Sequence, residues 1–240
     1  GYGGDNDEVW EKYIGELEKL PEEIKVIGIN DYWFLDGYNR VREAKEAGRL
    51  QNIDEIFPVI EMRLRHFGGS IGALSRVNLH VIFDPELGSA KIQSQFVDAL
   101  QSKVRLAPGI DGKEWSASIT KASLTDLGKC IKETVPKDQL SRYKDDLTEG
   151  FNNINVDLSD VQSALSSSYL RGRAIVGIGK TEWADIKWNG QSIAAKKDVI
   201  NSASLVFTAY EDVARWKADV EKLRNDGVTH RLLDCSDAHY

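Results

Sequence analysis

Ile24-Lys25-Val26-Ile27-Gly28-Ile29-Asn30-Asp31-Tyr32 is a short apolar run that finishes on polar residues. It reads as a buried strand with Asn30-Asp31-Tyr32 at its C-terminal end. Upstream, Asp7 can cap a helix whose Trp10, Tyr13, Ile14 and Leu17 form one apolar stripe, and Pro21 follows its end. Downstream, a helix over Tyr38 to Ala47 stops at Gly48, and Phe57 to Leu64 is a second strand. Val77 to Phe83 is a third. Helical periodicity then dominates from Ser94 to Leu165, with a polar break from Pro108 to Trp115. Arg173 to Ile178 is a fourth strand. A helix over Ile193 to Ser202 leads to a fifth, Ser204 to Thr208, and the helix Glu211 to Asn225 ends at Gly227, before a last strand at Arg231-Leu232-Leu233. Short apolar strands alternating with helices predict an α/β architecture with parallel strands, a single domain over 1–240 with a mostly helical insertion at 86–170.

The chain has 240 residues, enough for one large core, and its 41% hydrophobic and 29% charged content is globular rather than disordered. A formal net charge of -7 removes the electrostatic footprint of a non-specific nucleic-acid binder, although a local basic groove stays open. Two cysteines, Cys130 and Cys235, far apart in sequence, make no disulfide framework and fit a reducing cytoplasm. No apolar run spans a bilayer and no signal-peptide pattern opens the chain, so no membrane partner is expected. The first residue is Gly1 rather than Met, which we read as a missing natural N-terminus.

Residues with metal or acid–base chemistry recur in or at the ends of these strands: Asp31, Glu61, His80 and the pair Asp237/His239. Residues two apart on a strand point to the same side, so Asp237 and His239 can present a carboxylate and an imidazole to one ion. Mixed carboxylate and imidazole donors suit Mn, Fe or Zn, and two or three such ions can polarise a phosphoryl group and activate water. Each residue also has a plainer reading. Asp31 can cap the next helix. Glu61 can form a structural ion pair. His80 can be a hydrogen-bonded core residue, and Asp237 with His239 can cap a following helix.

Ile27-Gly28-Ile29-Asn30-Asp31-Tyr32, Val59-Ile60-Glu61, Asn78-Leu79-His80 and Cys235-Ser236-Asp237-Ala238-His239 resemble successive motifs of the PHP (polymerase and histidinol phosphatase) superfamily. The longer strings Asp31 to Tyr38 and Arg231 to Tyr240 resemble the N-terminal PHP domain of TrlF-type proteins, which join it to an SMC-like ATPase. The resemblance implies a distorted (β/α)7 PHP-type barrel, here lacking its first strand, with a cluster of two or three Mn, Fe or Zn ions at the strands' C-terminal mouth. It implies hydrolysis of phosphoesters, nucleic acid as a partner, and a C-terminal ATPase domain beyond this fragment. Glu61, His80, Asp237 and His239 match metal-ligand positions; Asp31 matches the acidic residue of the second motif, holding an ion or orienting the nucleophile beside Glu61 in the catalytic set. The family's opening His-x-His is absent, Tyr32 stands where many members have a histidine, and Glu182 is the candidate to replace a later one.

Gly177-Ile178-Gly179-Lys180-Thr181 invites a phosphate-loop reading, but Ala174 stands where that pattern needs glycine. Lys180, Arg63 and His66 remain candidates to attract a substrate phosphate, the last two with Arg65 as a cationic edge. The leading expectation is therefore a phosphoesterase acting on nucleic acid in a repair or defence protein. The rivals are a catalytically degenerate binding or regulatory module and a small-molecule phosphatase.

Overall fold

A computed structural model describes residues 7–70, 73–106, 114–179, 193–208 and 212–234. Six strands form one curled, half-barrel sheet: β1 (Val26–Tyr32), β2 (Glu55–Ser70), β3 (Ala73–Phe83), β6 (Ala174–Gly179), β7 (Leu205–Thr208) and β8 (Leu232–Asp234), hydrogen-bonded in that order. A second sheet pairs only β4 (Gln101–Arg105) with β5 (Glu114–Ser118).

The sheet is mixed, which corrects the expectation of parallel strands. β1 with β2, β6 with β7, and β7 with β8 are parallel, whereas β3 runs against both its neighbours. The cause is chain length. Only residues 71–72 separate β2 from β3. A parallel crossover needs a dozen or more residues, so a link this short can only close a hairpin. Both strands are also longer than the apolar runs at 57–64 and 77–83. Beyond the stretches paired with β1 and β6 they continue as a two-stranded arm, with a register shift between Arg63 and Phe67.

The parallel neighbours are joined by helices. α2 (Asp36–Glu46) connects β1 to β2, α7 (Ile193–Asn201) precedes β7, and α8 (Val213–Asn225) precedes β8. α1 (Asp7–Leu17) buries Ile14, with Trp10, Tyr13 and Leu17 packed against the core, as its stripe predicts. One face of the sheet is the core wall: Ile29, Ile60, Met62, Leu79, Val81, Phe83, Ile178 and Val206 are buried there. They belong to one continuous core with Val41 of α2 and Leu223 of α8.

The insertion contains more than helix. It holds α3 (Ser89–Ile92) with a wide turn over Gln93–Val97, then the β4–β5 hairpin, then α4 (Lys121–Glu133), α5 (Asp146–Asn153) and α6 (Leu158–Leu165). The hairpin flanks the polar break that sequence periodicity located, and its short strands, alternating exposed and buried, carry too few apolar residues to stand out. α4 and α5 cross with their backbones in contact. A Cβ at Gly128 would overlap the Asp146 carbonyl, and one at Gly150 the Leu124 carbonyl. Cys130 lies on α4, half-buried against the core. The insertion also extends the main sheet: Val156 bridges Leu64 in parallel, donating to the Arg63 carbonyl (3.2 Å) and accepting from Arg65 N–H (2.8 Å).

Candidate functional site

Register brings two of the expected residues face to face. Glu61 on β2 pairs with Tyr32 on β1 and with His80 on β3, and His80 pairs with Gly177 on β6. Cross-strand partners share a face. These four positions therefore form a row across the sheet face that the core does not use. The row lies where β1 ends but inside β2 and β3, so Glu61 and His80 are mid-strand residues rather than strand-end ones.

Asn30 ties the two together. Its Nδ2 donates to Glu61 Oε2 at 2.8 Å, and its Oδ1 lies 3.4 Å from His80 Nδ1. A proton on Nδ1 satisfies that contact and leaves Nε2 with the lone pair, the form in which imidazole binds metals. Asn30 stands in the second motif, but nothing in the sequence alone marks it as a site residue. Its role depends on which residue of β2 lies beside it, which only the strand register decides. His80 is held from the other side by Phe207 of β7, ring edge to ring face with centroids 5.3 Å apart. Gly177 makes room for that ring, because a Cβ there would overlap Phe207.

Asp31 is placed differently. Alternation on β1 turns it to the face opposite Asn30. Its carboxylate accepts from the N–H groups of Gly37 (3.2 Å) and Tyr38 (2.7 Å), at the start of α2. Leu35, at the N-cap, contributes no side-chain bond, so Asp31 serves from a distance as the cap. Burial pushes its carboxyl up to about 6; the two N–H bonds work against that rise, and the Asp36 carboxylate adds to it. Asp31 thus stands behind the Glu61–His80 row and fixes the end of β1 against α2.

Tyr32 forms a wall of the site. Burial pushes its phenol up to about 12, against the pull of Arg63, so it stays protonated and neutral at physiological pH. Its ring packs on Phe151 of α5 at 5.7 Å. Trp33, the next residue, is fully buried with φ 69°, and its N–H donates to the Glu61 carbonyl at 3.1 Å. A bulky residue in the left-handed region costs roughly 1–2 kcal/mol, and such strain concentrates at functional sites.

Beyond Glu61 the same strand pair carries cations. Arg63 lies over the Tyr32 ring, 5.5 Å from its centroid, and donates to the Asn152 carbonyl at 3.3 Å. Arg65 reaches the insertion through Asn155 Oδ1 (3.3 Å), the Lys103 carbonyl (3.2 Å) and an ion pair with Asp157 (3.3 Å). Arg76 on β3, absent from the sequence-based candidates, lies over Phe67 at 4.5 Å and donates to the Arg65 carbonyl at 3.3 Å. Burial, and then the charges of Arg65 and Arg63, hold its guanidinium below the usual range. His66 is exposed on the arm.

Asp237, His239 and Lys180 lie outside the described residues, as do Glu182 and Cys235. Among the described residues no three His, Cys, Asp or Glu side chains gather as a metal site. Glu61 and His80 supply one carboxylate and one imidazole, half of the ligand set expected from the motifs. That donor chemistry fits Mn, Fe or Zn. No helix among the described residues is long and apolar enough to cross a membrane. Comparison with protein-family models, with curated proteins and with solved structures gave no match.

Proposed function

We propose that this chain is a PHP-type, metal-dependent phosphoesterase domain acting on nucleic-acid phosphodiesters, within a protein that also carries an SMC-like ATPase. The observation that carries this reading is the link between Glu61 and His80, from two separate motifs, through Asn30 on one open sheet face. Glu61, His80, Asp237 and His239 would hold Mn, Fe or Zn. Bound there, such ions supply Lewis acidity at the phosphoryl oxygens and an activated water. The remaining work belongs to the protein's side chains. Asn30 orients Glu61 and His80. Tyr32 walls the site as a neutral phenol. Arg63, two residues beyond Glu61, draws the phosphate in. Asp31 is a positioning residue behind the row.

Elemental analysis of the purified chain, beside Glu61→Gln and His80→Ala, tests the reading, followed by hydrolysis of an activated phosphodiester with added Mn. Bound metal and hydrolysis that are lost together in both variants support it. A wild-type chain that takes up no metal even with Mn present overturns it. That outcome would favour the second reading, a degenerate PHP domain serving as a binding module, for which the non-ligating phenol of Tyr32 is the supporting observation.

A further inference from the structure

We infer that the β2–β3 arm is a docking element for single-stranded nucleic acid, with Phe67 stacking a base while Arg76 and Arg63 take phosphates. The inference rests on the phosphodiester reading only for where the strand leads, not for the arm's own binding.

Three observations converge. The arm projects: among the described residues β1 pairs with β2 as far as Glu61, Val156 adds a bridge at Leu64, and β6 pairs with β3 from Leu79, so Phe67 and Arg76 extend beyond the rest of the sheet. Its exposed aromatic is already stacked against a cation. Phe67 is 58% exposed and pairs in register with Arg76, whose guanidinium covers one face of the ring. A single strand can continue that stack with a base, whereas bases paired inside a duplex cannot reach it. Finally, the arm gathers like charges. Arg63, Arg65 and Arg76 are close enough for the first two to depress the third, and among the described residues only Arg65 has a carboxylate partner. Guanidiniums carry five donors each, and these make one or a few bonds to carbonyls here. An anion among them would relieve the repulsion and fill the remaining donors.

The geometry also gives a direction. Arg76, Asn78 and His80 share one face of β3, so the stacked Phe67–Arg76 rung lies about 13 Å from the Glu61–His80 rung at the usual strand rise. Arg63 and its partner Asn78 form the rung between. A strand held by Phe67 would pass Arg63 on its way to Glu61 and His80. This reading discriminates against small phosphomonoesters, which cannot span the arm.

Fluorescence anisotropy of a labelled single strand of about 12 nucleotides, within the usual site size, tests this with the full chain in chelator. The wild type should bind the single strand at least roughly 10-fold more tightly than a duplex of the same sequence, and Phe67→Ala should remove about that factor. Arg76→Gln should reduce the slope of log affinity against log salt by about 0.7, the single-strand value for one phosphate contact. Arg76→Lys should restore the slope without restoring full affinity. Phe67 is exposed, so its truncation opens no core, and circular dichroism verifies the fold. Wild-type affinity in Phe67→Ala, equal binding of duplex, or no binding at all would overturn the inference. Because binding is read without metal, a chain that binds but never hydrolyses refutes the phosphoesterase reading while supporting the arm. A chain that cleaves small phosphodiesters without arm-dependent binding does the reverse.

Discussion

Asp31→Asn should make the protein more stable at neutral pH and flatten its response to acid. The carboxyl titrates at about 6 in the fold, against an ordinary value of 3.8. The native state therefore binds more protons than the unfolded chain between those values, and stability falls as pH rises through that window. Above it the ionised group is a constant liability of roughly 3 kcal/mol, from 1.36 kcal/mol for each pH unit between the two values. Asparagine carries no charge but has a single oxygen, which serves the Tyr38 N–H that Oδ2 takes at 2.7 Å and leaves its NH2 facing the Gly37 N–H that Oδ1 takes at 3.2 Å. Its own NH2 needs a partner, which returns about 1 kcal/mol of the gain. The expected difference runs from about 1 kcal/mol in favour of the wild type at pH 3.5 to about 2 kcal/mol in favour of the asparagine variant at pH 7. Urea denaturation of both proteins at several pH values between these limits reads it directly. If the wild type instead gains stability over the variant as pH rises from 4 to 6.5, the ionised carboxylate is an asset, and its placement as a buried cap is wrong.

Gly128→Ala forces the α4–α5 crossing apart and should cost on the order of 3 kcal/mol, read as a lowered thermal midpoint. Ser102→Ala removes a fully buried hydroxyl that donates to the Asn155 carbonyl at 2.6 Å; chemical denaturation should register a loss of about 1–2 kcal/mol. Asn30→Ala frees Glu61 and His80 from their shared partner, and Mn titration calorimetry should show affinity weakened by roughly 10- to 100-fold, the usual effect of losing an orienting contact. Gly177→Ala should displace the Phe207 ring from His80 and lower Mn affinity more than overall stability, when titration and melting are compared.

Local pattern carried the helices and most strand positions, because each is written in residues near one another. The apolar stripe of α1 and the stop at Gly48, whose φ is 87°, needed no distant information. Strand direction is a different kind of fact. The reversal of β3 was implicit in the short, glycine-bearing stretch Gly68-Gly69-Ser70-Ile71-Gly72, but apolar periodicity does not record which way a strand runs. The site was legible one residue at a time. Glu61 and His80 could be picked out as chemically able, yet their meeting depends on a register set across two strands. Asn30 and Arg76 were missed because amides and arginines at strand positions are common; only their partners distinguish them. Asp31 shows the converse: a carboxylate beside a motif residue was visible, while the face it turns to follows from alternation, which puts it and Asn30 on opposite sides.

The neck of the insertion bears on how the chain reaches this state. Asp84 N–H donates to the Arg173 carbonyl at 3.0 Å, and the Arg173 guanidinium meets the Asp84 carboxylate at 2.9 Å. In effect β3 and β6 form a hairpin whose loop is everything between those two residues. The entropy of closing such a loop grows only logarithmically, by about 0.6 kcal/mol for each doubling of length, so the final state bears the insertion easily. The rate is affected more, since distant contacts slow the search. β1, α2, β2 and β3 are contiguous in sequence, whereas β6, β7 and β8 reach the sheet only across the insertion, whose ends meet at Asp84 and Arg173. Asn30, Glu61 and His80 all lie in the contiguous first half, while Gly177, which completes their row, and Phe207, which holds the His80 ring, belong to the second.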